Sequence, residues 1–178
     1  MAAKRCMSRH LLLVGLPAAG KSTVGRLVAG ALGVQLRDID ALIESRLGMD
    51  IPEIFATQGE AGFRSLERAE TMRALAGDPI VVVPGGGWAA QPGNLDRARG
   101  RALTVYLHTS PEQAAARALP QSERPLLSGT DAAAKIRELL AERAAFYERC
   151  DIRVDTDGKT AEEVASEVVE VALRGGGG

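Results

Sequence analysis

A lysine and a serine close a glycine loop near the start of this chain, Gly15-Leu16-Pro17-Ala18-Ala19-Gly20-Lys21-Ser22. The loop fits G-x-x-x-x-G-K-[ST], and the apolar run Leu11-Leu12-Leu13-Val14 precedes it while a helical pattern starts near Thr23. Glycines let backbone N–H groups turn inward around a polyphosphate, because no Cβ blocks the approach. The following helix presents its free N-terminal donors, so the amides from Gly15, Ala18, Ala19, Gly20 and Thr23 suit phosphate oxygens. Lys21 reaches the outer phosphates of a nucleoside triphosphate, and the Ser22 hydroxyl is placed to ligate Mg²⁺.

Other residues with chemical capacity come in short groups. Asp38-Ile39-Asp40 closes the second apolar segment, and two carboxylates one residue apart point to the same side of an extended chain. One can hold Mg²⁺, directly or through water, and the other can accept a proton from a hydroxyl. The competing reading makes Asp40 a helix N-cap beside a solvated Asp38. Arg64 and Glu67 share one helical face, where the acid can orient the guanidinium or form an ordinary surface ion pair. Gly85, Gly86 and Gly87 follow an apolar strand; such a triplet marks either close backbone approach to a ligand or a tight turn. Arg117 and Arg124 bracket a segment expected to act as a mobile flap over about 117–130, and Arg143 stands on the helix after it. Three arginines there suit phosphoryl charge and carboxylate capture, although each alone reads as a surface residue. His10 and His108 lack metal-ligand spacing and read as structural, while Trp88 is either a packing residue or a pocket wall.

Elements able to position these groups alternate along the chain. Strands are expected at His10–Val14, Val34–Arg37, Ile80–Val83, Ala102–Leu107 and Ile152–Val154, with helices near 22–32, 40–47, 51–76, 92–99, 111–119, 131–149 and 160–173. That alternation implies an α/β fold, a five-stranded parallel sheet with helices on both faces, in one domain over 1–178. Ligands in such sheets sit beyond the carboxyl ends of the strands. A hydrophobic fraction of 46% over 178 residues suits a packed core, and the apolar runs are far too short to span a membrane. The net charge of −1 argues against a nucleic-acid partner. Cys6 and Cys150 suggest neither a disulfide framework nor a metal site, and a cytoplasmic enzyme is expected. Glycines 175–178 read as a disordered tail.

Taken together, several motifs resemble the shikimate kinases from Leu11 to about Leu173. They are G-L-P-A-A-G-K-S-T at 15–23, D-I-D at 38–40, G-x-x-I-x-x-I-F-x-x-x-G-E-x-x-F-R-x-x-E from Gly48 to Glu67, Gly85–Gly87, Arg124-Pro125-Leu126-Leu127, and Glu142-Arg143-Ala144-Ala145-Phe146-Tyr147. The resemblance implies a monomeric P-loop kinase of the nucleoside monophosphate kinase-like fold that uses ATP and Mg²⁺ to phosphorylate the 3-hydroxyl of shikimate. It assigns the ATP phosphates to Lys21 and the loop amides, Mg²⁺ to Ser22 and Asp38, and the ring hydroxyls to Asp40. Arg64 and Arg143 would grip the shikimate carboxylate, with Gly86 offering its N–H, and Arg117 and Arg124 would come from the lid. This chain departs from the family at three places. The lid reads Ala-Leu-Pro-Gln-Ser-Glu between Arg117 and Arg124, without the usual glycines, which implies stiffer closure. Lys159 stands at an adenine-side position that often carries arginine, and Trp88 replaces a small residue beside the acceptor site. Two rivals are a kinase for another small polyol acid or cyclitol, and a nucleotide-binding regulator without catalysis. The first should differ among Asp40, Arg64, Gly86 and Arg143, the second should lack Lys21, Asp40 or the lid arginines, and all of these residues are present.

Overall fold

The computed structural model describes residues 7–118 and 132–175. Five strands form one parallel sheet: β1 (His10–Val14), β2 (Leu36–Asp38), β3 (Val81–Val83), β4 (Ala102–His108) and β5 (Ile152–Asp155), in the order β2-β3-β1-β4-β5. Between and after them run α1 (Lys21–Leu32), α2 (Ile39–Leu47), α3 (Ile51–Ala74), α4 (Asn94–Ala98), α5 (Pro111–Ala118), α6 (Ala132–Tyr147) and α7 (Ala161–Arg174).

Period-two alternation divides the sheet's apolar residues between two cores. Leu11 and Leu13 of β1 join Val24 and Val28 of α1 and Val164 and Val168 of α7 on one face. Leu12 and Val14 join Ile39, Ile54, Phe63, Tyr106, Ile136 and Tyr147 on the other. All five residues of β1 are buried, which is why that strand reads as an unbroken apolar run rather than an alternating one. The functional loops follow from this order: β1 lies at the centre, so the loop at its carboxyl end has β3 and β4 as neighbours.

Three local differences from expectation have physical causes. Strand β2 runs later than expected, to Asp38, where the chain turns directly into α2, so Asp38 and Asp40 are not two steps of one extended segment. Asp38, not Asp40, is the N-cap, accepting from the Ala41 N–H at 3.4 Å, while Asp40 lies in the first helical turn. Helix α3 is kinked at Gly59, whose φ of 71° and ψ of 172° a side chain would disfavour. Gly175 is not a frayed residue but caps α7, its N–H donating to the Val171 carbonyl at 2.9 Å; residues 176–178 lie outside the described chain. No helix among the described residues is long and apolar enough to cross a membrane.

Candidate active site

Gly20 ends the loop after β1 in the left-handed conformation, with φ 86°, and α1 begins at Lys21. No side chain caps this helix and no acidic residue occupies its first turn, so its N-terminal dipole is left for an anion. Lys21 is buried and folds back along the loop, its Nζ donating to the carbonyls of Gly15 at 2.9 Å and Leu16 at 2.7 Å. The ammonium is therefore already held over the concavity that the loop amides surround. Ser22, one residue on, donates its hydroxyl to Asp38 Oδ2 at 2.5 Å. Asp38 thus caps α2 with one oxygen and meets the phosphate-loop hydroxyl with the other.

Ala18 carries a strain that the sequence did not advertise. Its φ of 62° makes it the one non-glycine residue with positive φ among the described residues. An L-residue pays about 1–2 kcal/mol in that region, and glycine there forfeits about 0.5–1 kcal/mol of chain entropy. Ala18→Gly should therefore leave stability unchanged or raise it by up to about 1 kcal/mol, a melting-temperature gain of roughly 2–4 °C. A lowered melting temperature would show that Ala18 is better packed than it is strained.

The loop opens onto a cleft of about 400 Å³, within the usual range for ligand sites. Lys21, Ser22, Thr23, Asp38 and Asp40 line it together with Gly85, Gly86 and Arg117. Arg117 lies in the last turn of α5 and directs Nη1 toward the Ala19 carbonyl at 3.4 Å, beside the phosphate loop. Arg124 and the rest of the expected flap up to residue 130, beyond Ala118, lie outside the described residues.

The glycine triplet is used for close approach, and each member meets a different partner. A Cβ on Gly85 would overlap Glu67 Oε1 and lie 3.0 and 3.3 Å from the two carboxylate oxygens of Asp40. One on Gly86 would sit 2.9–3.1 Å from the ring and nitrogen of Pro17. One on Gly87 would overlap the Arg64 guanidinium. The triplet therefore joins the phosphate loop, through Pro17, to the residues behind the cleft. Trp88, which follows, donates its N–H to the Gly85 carbonyl, and this turn carries its side chain into the core. The indole is fully buried and does not line the open cleft, so the packing reading of Trp88 holds and the pocket-wall reading does not.

Arg64 and Arg143 lie behind the triplet, each more than nine-tenths buried. Arg64 donates to Glu67 Oε2 at 2.8 Å, yet among the described residues its Nε has no hydrogen-bond partner, and neither has Arg143 Nη1. Glu67 is fully buried, and burial pushes its carboxyl pKa up against the opposing pull of the Arg64 guanidinium, with Arg143 contributing further. Arg64 also meets the exposed Glu60 carboxylate at 3.5 Å, so what the buried pair leaves open is two donor nitrogens, and a buried donor without a partner costs free energy until an acceptor arrives. Lys159 is drawn elsewhere: its Nζ pairs with Glu167 at 2.8 Å and does not line the cleft. His10 accepts from the Ile80 N–H through Nδ1 at 3.2 Å and is structural, as expected; His108 bonds Asp155 at 2.8 Å.

Two participants escaped the sequence reading. Pro17 is invisible as a contact residue because its partner, Gly86, is 69 positions away. Tyr147, four residues after Arg143 on α6, donates its hydroxyl to the Gly86 carbonyl at 2.5 Å. The i, i+4 spacing from a candidate arginine was the available signal.

Comparison with known proteins agrees with this arrangement. The family model described as shikimate kinase matches residues 17–173. A shikimate kinase of Halorhodospira halophila is 44% identical over 176 residues, covering 98% of each chain. One from Mycobacterium avium is 43% identical over 164 residues, covering 92% of this chain and 93% of its own. Among solved structures, the shikimate kinase from Acinetobacter baumannii in complex with shikimate superposes with a TM-score of 0.88 at 31% identity, covering 95% of this chain and 96% of that one. With the motifs, the fold and the relatives in agreement over nearly its whole length, this chain belongs to the shikimate kinase family.

Proposed function

We propose that this chain transfers the γ-phosphoryl group of ATP to the 3-hydroxyl of shikimate, giving shikimate 3-phosphate and ADP, with its residues in the roles that follow. The observation that carries the reading is the pair of buried arginines with unsatisfied nitrogens, set one glycine turn away from a phosphate loop. The phosphate loop and Gly85–Gly86 line the cleft while the two arginines do not line it but lie behind the triplet, an arrangement that supports a kinase of a small hydroxy acid.

Lys21 holds the outer phosphates after leaving the Gly15 and Leu16 carbonyls, and the loop amides hold the rest. Ser22 Oγ and Asp38 Oδ2, already 2.5 Å apart, are a hard oxygen pair suited to Mg²⁺ with phosphate and water oxygens completing the shell. The metal, when bound, would neutralise phosphate charge and help align the transferring group. Arg64 and Arg143 bind the acceptor's carboxylate, the Gly86 N–H assists, and Asp40 orients the attacking hydroxyl and accepts its proton. Arg117, beside Ala19, adds positive charge at the phosphates, and Arg124 does so from the flap. Lys159 reaches the adenine side once it leaves Glu167.

The direct test is ADP release on adding shikimate, with quinate and gluconate as controls. Turnover with shikimate well above both supports the reading; preference for gluconate or quinate would move the chain to another polyol-acid kinase. Arg143→Ala should raise the shikimate KM about 10- to 100-fold, the worth of charged hydrogen bonds of roughly 1.5–3 kcal/mol. The ATP KM should stay within about threefold, because the phosphate loop is built separately around Gly20 and Lys21. Weakened ATP binding with an unchanged shikimate KM would overturn the assignment of Arg143.

A further inference from the structure

We infer that Tyr147 is a positioning residue for the acceptor site: its hydroxyl locks the peptide between Gly86 and Gly87 and ties it to the helix that carries Arg143. The inference rests on the shikimate kinase reading of the cleft and adds a residue to it.

A run of three glycines does not hold one conformation unaided, since each residue has the widest backbone freedom available. Each peptide of the triplet is instead fixed from outside. The Gly85 carbonyl accepts from the Trp88 N–H at 3.1 Å, and the Gly87 carbonyl accepts from Gln91 Nε2 at 3.4 Å. The middle carbonyl, that of Gly86, takes the shortest of these bonds, the 2.5 Å bond from Tyr147 Oη. Because a peptide is planar, fixing the Gly86 oxygen also fixes the direction of the Gly87 N–H on the opposite side of the bond. Gly87 is the residue packed on the Arg64 guanidinium, so the orientation is passed to one of the two carboxylate-binding arginines.

Tyr147 itself is held without freedom. It is fully buried, and its ring stacks on Tyr106 with centroids 4.9 Å apart and planes 23° from parallel. It follows Arg143 by one helical turn, so both side chains leave the same face of α6. Burial raises its phenol pKa to about 12 against the opposing pull of Arg143 first and then Arg64. The phenol therefore remains a donor at every working pH, and it is the side-chain hydrogen bond that joins the triplet to α6 among the described residues. Arg143 and the Gly86–Gly87 peptide, on separate elements, are thereby held at a fixed spacing around the position of the acceptor's carboxylate.

The test is Tyr147→Phe, which removes only the hydroxyl and leaves the ring stacked on Tyr106. Steady-state kinetics would be run with shikimate and with its analogue bearing CH₂OH in place of the carboxylate, alongside a thermal melt. The shikimate KM should rise about five- to tenfold, the usual worth of one hydrogen bond to a buried acceptor, with kcat and the ATP KM within about twofold. The carboxylate-free analogue should be used equally poorly by both proteins, because the geometry that Tyr147 maintains is aimed at the missing group. In ¹⁵N–¹H spectra the Gly87 amide should shift, a readout that requires no turnover. An unchanged shikimate KM, an equal loss with both acceptors, or an unmoved Gly87 resonance would overturn the proposal while the wild-type protein still phosphorylates shikimate. Absence of shikimate turnover by the wild type would instead remove the reading of the cleft, and the role of Tyr147 with it.

Discussion

Asp40→Asn is expected to lower kcat by about a hundred- to ten-thousand-fold, the range associated with losing a general base, while fold and nucleotide affinity remain. Two carboxylates flank Gly85, and the structure distinguishes their duties. Glu67 is fully buried, bonds Arg64 at 2.8 Å and does not line the cleft. Asp40 lines the cleft from the first turn of α2, with its oxygens against the face of Gly85. Of these two, Asp40 is the one open to the cleft between the triplet and the phosphate loop, which supports the role proposed for it at the acceptor's hydroxyl. An asparagine keeps the outline but exchanges one accepting oxygen for a donor and takes up no proton. Single-turnover phosphoryl transfer and an ATP titration check the two halves of this expectation. A kcat within about tenfold of wild type would remove Asp40 from the proton step.

The parts of this site that were legible in the sequence are those built from consecutive residues. The phosphate loop, from Gly15 to Ser22, owes its form to local glycine and helix-terminus geometry, so strand, loop and helix could be placed with no knowledge of the rest. β1, β3 and β4 were found because parallel strands buried on both faces read as short continuous apolar runs, whereas β2 and β5, at the sheet edges, are only partly buried and carry charged residues. Precision failed where one element passes directly into another. The alternation rule gave Asp38 and Asp40 a common side of a strand, but the helix that begins at Ile39 replaces a period of two by a period of 3.6, and the two acids reach one cleft by a different route. The kink at Gly59 was hidden for a related reason: helical periodicity continues on both sides of it. Arg64 and Arg143 were recognised through linked motifs, since nothing local tells a buried arginine from a solvated one. Pro17 against Gly86, and Tyr147 on the Gly86 carbonyl, are tertiary facts whose partners are 69 and 61 positions apart. The neighbours of Trp88 in sequence left packing and pocket wall both open, and the turn at Gly85 sends it into the core.

Gly85→Ala is expected to abolish detectable shikimate phosphorylation, a loss of at least about a hundredfold in kcat/KM, without a comparable loss of nucleotide binding. The added methyl would overlap Glu67 Oε1 and press on both oxygens of Asp40. Neither neighbour can give way easily. Glu67 is fully buried and bonded to Arg64, so moving it shifts the arginine proposed to bind the acceptor's carboxylate. Asp40 on the other side is the group proposed to meet the acceptor's hydroxyl. One methyl group therefore displaces both ends of the acceptor site together, and overpacking of this kind typically costs about 1–3 kcal/mol of stability as well. The phosphate loop should be spared, because Lys21 and the amides after Gly20 are held by α1 and by the Gly15 and Leu16 carbonyls. Gly30→Ala is the matched control: it lies within α1 with nothing inside 4 Å of the new methyl, and it should add about 0.5–1 kcal/mol by helix propensity alone. Shikimate kinetics, ATP titration and thermal melts on the two variants separate a site effect from a stability effect. Retention of near-normal shikimate turnover by Gly85→Ala would mean that the triplet yields to a side chain, and that close approach is not the reason for its glycines.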